Sequence, residues 1–164
     1  MKAMLWEGVN RLRMIDMPEP VCNPDELKIR VVSAGVCATD AHIIHGTFWN
    51  GDPPHVLGHE IAGEVTQVGN STLNGWLGKR VVVETAVGCG ICEHCRSGNK
   101  HLCAQGGEIG FPPRQGGYAQ YVCVPWCPRV RTATAYAVTK LPCRSGCWTN
   151  WVITKKRKNI WKPS

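Results

Sequence analysis

The chain has 164 residues, 43% of them hydrophobic, and its 19 Lys and Arg outweigh 12 Asp and Glu for a formal net charge of +7. That length suits one core and is short for two, and no stretch approaches the ~20 apolar residues of a membrane span. The opening MKAMLWEGVNRLRMIDMPEP has no continuous apolar segment of signal-peptide type, so a cytoplasmic chain without membrane partners is expected, and the ten cysteines then argue for metal or catalysis ahead of disulfides.

In chain order, residues 3–6 and 12–15 flank the turn EGVN, and ELKIRVV alternates Leu27, Ile29 and Val31 with Lys28 and Arg30. TDAHIIHG is the one clear helix, with Thr39 or Asp40 as its cap and Gly46 as its stop. IAGEVTQVG, RVVVET and GGYAQYVCV each read as a strand bounded by Gly or Pro. The pattern predicts a mainly β barrel or sandwich with little helix and no internal repeat.

Composition changes near residue 126. Residues 1–126 hold ten Lys/Arg and all twelve Asp/Glu, a net of −2, whereas residues 127–164 hold nine Lys/Arg and no acid, a net of +9. Seventeen of the eighteen glycines precede the change. The expectation is one domain over 1–126 and a basic tail over 127–164, disordered or produced by an altered reading frame.

The stretch CGICEHCRSGNKHLC, residues 89–103, places Cys89, Cys92, Cys95 and Cys103 where one loop can bring four thiolates to a tetrahedral ion at ~2.3 Å. Four sulfurs close the shell, so the site reads as structural zinc, which supplies folding energy to a glycine-rich lobe. Unligated surface thiols are the competing reading, and this spacing argues against it. His94 and His101 are alternative ligands, better read as solvated loop residues.

A second constellation comes from separate segments. GVCATDAH carries Cys37, Thr39, Asp40 and His42, and VLGHEIAGEV carries His59 and Glu60. Cys37 and His59 are a soft and a borderline metal ligand, each near glycine; two protein ligands and a third would leave an open position, as in catalytic sites. Taken singly, Cys37 is as well read as a small buried hydrophobe and His59 as a satisfied core histidine.

The motifs CxTDxH, GHExxGxV and GCGxCxxCRxGxxxxC, in that order and followed by GGYAQYVCVP, resemble the GroES-like catalytic domain of the zinc-dependent medium-chain alcohol and polyol dehydrogenases. The likeness covers residues 1 to about 126, with Thr72 a small departure where the family has other small or β-branched residues. The resemblance implies a GroES-like β barrel with a protruding four-cysteine zinc lobe. It implies that Cys37 and His59 hold a catalytic zinc, with Glu60 orienting the site or exchanging into the shell. It gives Thr39 the role of taking the proton of the alcohol and His42 that of relaying it to solvent. Asp40 resembles the carboxylate that hydrogen-bonds a zinc-bound histidine and fixes its tautomer. Capping of the short helix is the competing role for Thr39 and Asp40, and plain surface exposure that for His42.

The implied reaction is hydride transfer from an alcohol or polyol to NAD(P)+, with zinc as Lewis acid. The family's nicotinamide sits in a Rossmann domain signalled by G-x-G-x-x-G. That turn does not occur in the 164 residues, so NAD(P) binding requires a coenzyme domain that the chain lacks, and a truncated, inactive product is the expectation. Polyols, secondary alcohols and amino alcohols all fit as substrate, and the sequence leaves the oligomeric state open. The alternative function is a non-catalytic zinc-binding module whose KKRK, residues 155–158, meets nucleic acid; a short basic run is more often a solvated end. Cys143 and Cys147 are assigned no ligand role.

Overall fold

The computed structural model describes residues 1–48 and 52–126 and, as backbone, 135–140 and 151–153. The strands are β1 (Lys2–Gly8), β2 (Arg11–Asp16), β3 (Glu26–Gly35), β4 (His55–Val56), β5 (Glu60–Val68), β6 (Arg80–Val83), β7 (Ala86–Val87), β8 (Gly107–Glu108), β9 (Tyr121–Pro125), β10 (Ala135–Lys140) and β11 (Trp151–Ile153). Two short helices, α1 (Ala38–Ile44) and α2 (Glu93–Arg96), and two 3-10 turns complete the described residues. The fold is therefore mainly β, as its short alternating runs imply. None of the described helices is long and apolar enough to cross a membrane.

Three sheets form, ordered β2-β1-β4, β11-β10-β6-β5-β3-β9 and β7-β8. The pairings are antiparallel. β10 and β11 lie in the stretch read from the sequence as a basic tail, disordered or produced by an altered reading frame. The backbone pairs Ala135, Tyr136 and Ala137 with Val83, Val82 and Val81, which satisfies an edge of β6 that would otherwise carry unpaired N–H and C=O groups. KKRK, Cys143 and Cys147 lie outside the described residues.

The core is the inner face of the six-stranded sheet. Leu27 and Ile29 of β3, Ile61 and Val65 of β5, Val81 and Val83 of β6, and Val122 and Val124 of β9 pack together with Leu73 and Ile109. Away from the two β3–β5 register shifts, alternation breaks at one residue. Lys28, expected on the solvent face, is only 9% exposed. Its ammonium pairs with Glu19 at 2.8 Å and lies 5.6 Å from the Tyr121 ring centroid, so the charge is partnered where its stem is covered. Arg30 does face outward, 2.9 Å from Glu64.

A second, smaller cluster positions the residues of interest. Trp6 of β1, Ile43 of α1 and Leu57 bury one another, with Phe111 and Tyr118 packed on them. The GGYAQ half of the predicted last strand leaves the ladder to join this cluster. The N–H groups of Gly116, Gly117 and Tyr118 donate to the carbonyls of Val56 (2.7 Å), Gly58 (2.8 Å) and Leu57 (3.0 Å). A loop 60 residues downstream is thereby stitched to the segment preceding His59.

Gly58 is required at this crossing, because its φ is +95° and a Cβ would fall 2.6 Å from the Tyr118 ring. Gly58→Ala is expected to destabilise the fold by at least ~1–2 kcal/mol from backbone conformation alone, with the ring contact adding to it. Gly75, whose Cβ would meet open space, is the control: Gly75→Ala is expected to be neutral or stabilising by up to ~1 kcal/mol. Urea unfolding of the two variants side by side measures the contrast, and equal midpoints would show that the Gly58 geometry is not limiting.

Candidate metal centres

The four-cysteine lobe is assembled by local backbone. Cys92 caps α2, accepting the Cys95 N–H at 3.5 Å, while Cys89 Sγ accepts from Cys92 N–H and Cys103 Sγ from Cys89 N–H, each at 3.4 Å. Backbone donors aimed at sulfur favour thiolate over thiol. The four Sγ atoms lie within 4.8 Å of one another, a separation compatible with a tetrahedral ion at ~2.3 Å from each. His94 and His101 are exposed and stand outside this group.

The thiols are unequal. Hydrogen bonds from the backbone of Ile91 and Cys92 lower the Cys89 pKa to about 6. Burial pushes Cys95, which is 0% exposed, up to about 12. A buried sulfur beside three others is poorly accommodated as a thiolate without a cation, so the donor set fits zinc by its own chemistry. Lys100, itself buried, sits 2.9 Å from Glu84 and ties the lobe to the segment after β6.

The second centre converges at one end of the β3–β5 ladder. That pairing ends at Ala34↔Ile61 and Gly35↔Glu60, which delivers Cys37 and His59 to the same place from 22 residues apart. Cys37 Sγ and His59 Nε2 are 3.2 Å apart. α1 starts at Cys37 rather than at the expected Thr39 or Asp40. Cys37 Sγ accepts the Thr39 N–H at 3.2 Å, and Asp40 Oδ2 accepts the Cys37 N–H at 3.0 Å. Cys37 is the cap because its sulfur reaches the first turn while its own N–H is taken by Asp40.

Behind the imidazole, His59 Nδ1 is buried and 3.5 Å from Asp40 Oδ1. Cys37, Asp40 and His59 each place one ligand atom within 4.8 Å of the others. A thiolate and an imidazole nitrogen turned toward each other, with a carboxylate on the far ring nitrogen, fit zinc as a donor set. The Glu60 carboxylate is exposed and lies against Gly35, outside this group. Thr39 is half-buried, and His42 is exposed with Nδ1 3.0 Å from Thr47 Oγ1.

Two aromatic side chains join the centre. The Phe111 ring centroid is 5.7 Å from that of His59. The Tyr118 hydroxyl donates to the Gly35 carbonyl at 3.1 Å, with the Asp40 carboxylate nearby. Burial, and then the Asp40 carboxylate, hold the phenol protonated well above its ordinary range. Neither ring sits in a metal-ligand motif, and only the long-range folding of the 110–118 loop brings them here. An open cavity of about 490 Å³ reaches His59 and Glu60, with Ser33, Ala62, Val82 and Thr85 on its walls.

Comparison with known proteins agrees with this geometry. The alcohol dehydrogenase GroES-like domain family matches residues 23–133. Sorbitol dehydrogenase of Bacillus subtilis (strain 168) is 37% identical over 125 residues, covering 74% of this chain and 35% of that protein. L-threonine 3-dehydrogenase of Streptomyces avermitilis is 37% identical over 138 residues, covering 79% and 40%. Among solved structures, the cobalt and zinc bound thermostable alcohol dehydrogenase of Pyrobaculum aerophilum superposes with a TM-score of 0.71 at 33% identity, over 84% of this chain and 40% of that one. An alcohol dehydrogenase from E. coli CFT073, complexed with NADH, gives 0.74 at 31% identity, over 85% and 39%. The chain thus spans 35–40% of the length of these proteins. With its three motifs folded into a lobe of four thiols and a facing Cys–His pair, the chain belongs to the zinc-dependent medium-chain alcohol dehydrogenase family and carries its GroES-like domain.

Proposed function

We propose that these residues form the alcohol-handling part of a zinc-dependent NAD(P) oxidoreductase acting in the cytoplasm, where ten cysteines stay reduced. The observation that supports this best is the 3.2 Å approach of Cys37 Sγ to His59 Nε2 with Asp40 behind the ring, beside a cavity. Purely structural sites are closed by four protein ligands, whereas this centre opens on space for a substrate. The relatives named for sorbitol and L-threonine favour polyols and amino alcohols as the substrate class.

In this reading Cys37 and His59 hold zinc, and Glu60, on the cavity wall, is the carboxylate that can enter the shell. When bound, zinc supplies Lewis-acid polarisation of an alcohol or carbonyl oxygen. Asp40 keeps the proton of His59 on Nδ1, so that Nε2 presents a lone pair. Thr39, held next to Cys37 by its own N–H, takes the alcohol proton. His42, one turn along α1 and exposed, passes that proton to water through its contact with Thr47. A nicotinamide, which would need a coenzyme domain to hold it, would supply the hydride acceptor. The four-cysteine lobe keeps a second, structural zinc.

Metal content tests the assignment directly. Purified protein is expected to carry two zinc ions by mass spectrometry of the metal, and Cys37→Ser or His59→Ala to carry one. Wild type with a single ion, unchanged by Cys37→Ser, would remove the catalytic centre. With cobalt in place of zinc, a polyol or L-threonine is expected to shift the visible absorption of the wild type and not of His59→Ala; no shift with any alcohol would refute the substrate class.

The lobe makes a separate prediction. Cys95→Ser is expected to lose one zinc, to lower the unfolding temperature by on the order of 10 °C, and to open residues 88–106 to protease. Chelation of the wild type with EDTA is expected to reproduce that cleavage, and a chelated protein cut no faster than the loaded one would exclude a structural metal.

A further inference from the structure

We infer that Tyr118 is a positioning residue of the Cys37–His59 centre: its hydroxyl clamps the segment that carries Cys37, and its backbone N–H and ring hold the segment that leads into His59. The inference rests on the metal-site reading proposed above and assigns a role to a residue outside the metal-ligand motifs.

The Tyr118 hydroxyl donates to the Gly35 carbonyl at 3.1 Å. Gly35 lies two residues before Cys37, so this bond holds the strand end that presents the sulfur. The other end of Tyr118 acts on the second ligand. Its N–H is bonded to the Leu57 carbonyl at 3.0 Å, and its ring lies against the Cα of Gly58, immediately before His59. Tyr118 therefore touches both chain segments that meet at the metal position, without offering a ligand itself. Glycine at 58 is what lets the ring approach closely enough to do so.

Tyr118→Phe isolates the hydroxyl, because the ring and its packing on Gly58 remain. Affinity of the second metal position is measured by competition of zinc-loaded protein against a chromophoric chelator, with the cobalt absorption spectrum recorded in parallel. The variant is expected to bind the second ion roughly 10–100-fold more weakly and to show an altered cobalt band, while the lobe ion is released as in wild type and serves as the control for folding. Wild-type affinity and spectrum in Tyr118→Phe would overturn the inference and leave the metal site standing. A wild type that binds only the lobe ion would instead overturn the metal-site reading, and the inference with it.

Discussion

The antiparallel pairing of β3 with β5 is the constraint on which the site depends. Its register runs from Leu27↔Val68 to Gly35↔Glu60 and shifts twice, once beside Lys28 and once beside Val31. The first irregularity leaves Thr66 without a ladder partner, and its hydroxyl turns to the Lys28 carbonyl. The second leaves Val32 as the extra residue, 68% exposed. A one-residue slip in such a pair would exchange the buried and exposed faces. Because Leu27, Ile29, Ile61 and Val65 are all at or below 2% exposure, that slip would expose a large part of the core. The register that buries these four side chains is therefore also the one that releases Cys37 and His59 at the same end of the ladder.

The two metal centres solve the problem of gathering ligands in opposite ways. The lobe draws its four sulfurs from fifteen residues, so little chain entropy is lost in bringing them together, and the N–H···S bonds of the loop prearrange them. What the lobe lacks is apolar burial, with Ile91 and Leu102 60% and 56% exposed, and a closed metal shell is the compensation available to it. The second centre has the reverse economy. Its Cys37–His59 pair is brought together by a well-packed sheet, so as proposed above the scaffold exists without metal and leaves a coordination position open.

That difference also explains what could be read from the amino-acid order. The lobe was legible because its information is local: C-x2-C-x2-C and a fourth cysteine within one loop imply a tetrahedral donor set whatever surrounds them. Cys37 and His59 needed the resemblance, since neither residue alone distinguishes a ligand from a buried thiol or a core histidine, and only the ladder register joins them. The strands with clean alternation were legible for the same local reason. Lys28 was not, because its burial depends on Glu19 and Tyr121, and neither was the Cys37 cap, since a sulfur is a weak acceptor that propensity arguments pass over. β10 escaped because pairing along β6 is made by backbone, which composition and charge do not report.

Tyr118 marks the limit of local reading most clearly. Within GGYAQYVCV it stands in a run that alternates like a strand, and an aromatic there is most simply a core residue. Residues 116–118 precede the ladder, which begins at Tyr121, and give their N–H groups to the carbonyls of Val56, Gly58 and Leu57. These bonds place Tyr118 over Gly58 and direct its hydroxyl to the Gly35 carbonyl. The stretch from Val56 to Gly58 thus owes its satisfied backbone to residues 116–118, and the histidine that follows it owes its setting to the same crossing. The requirement that buried carbonyls be paired, acting between two glycine-rich segments, couples the fold to the metal position.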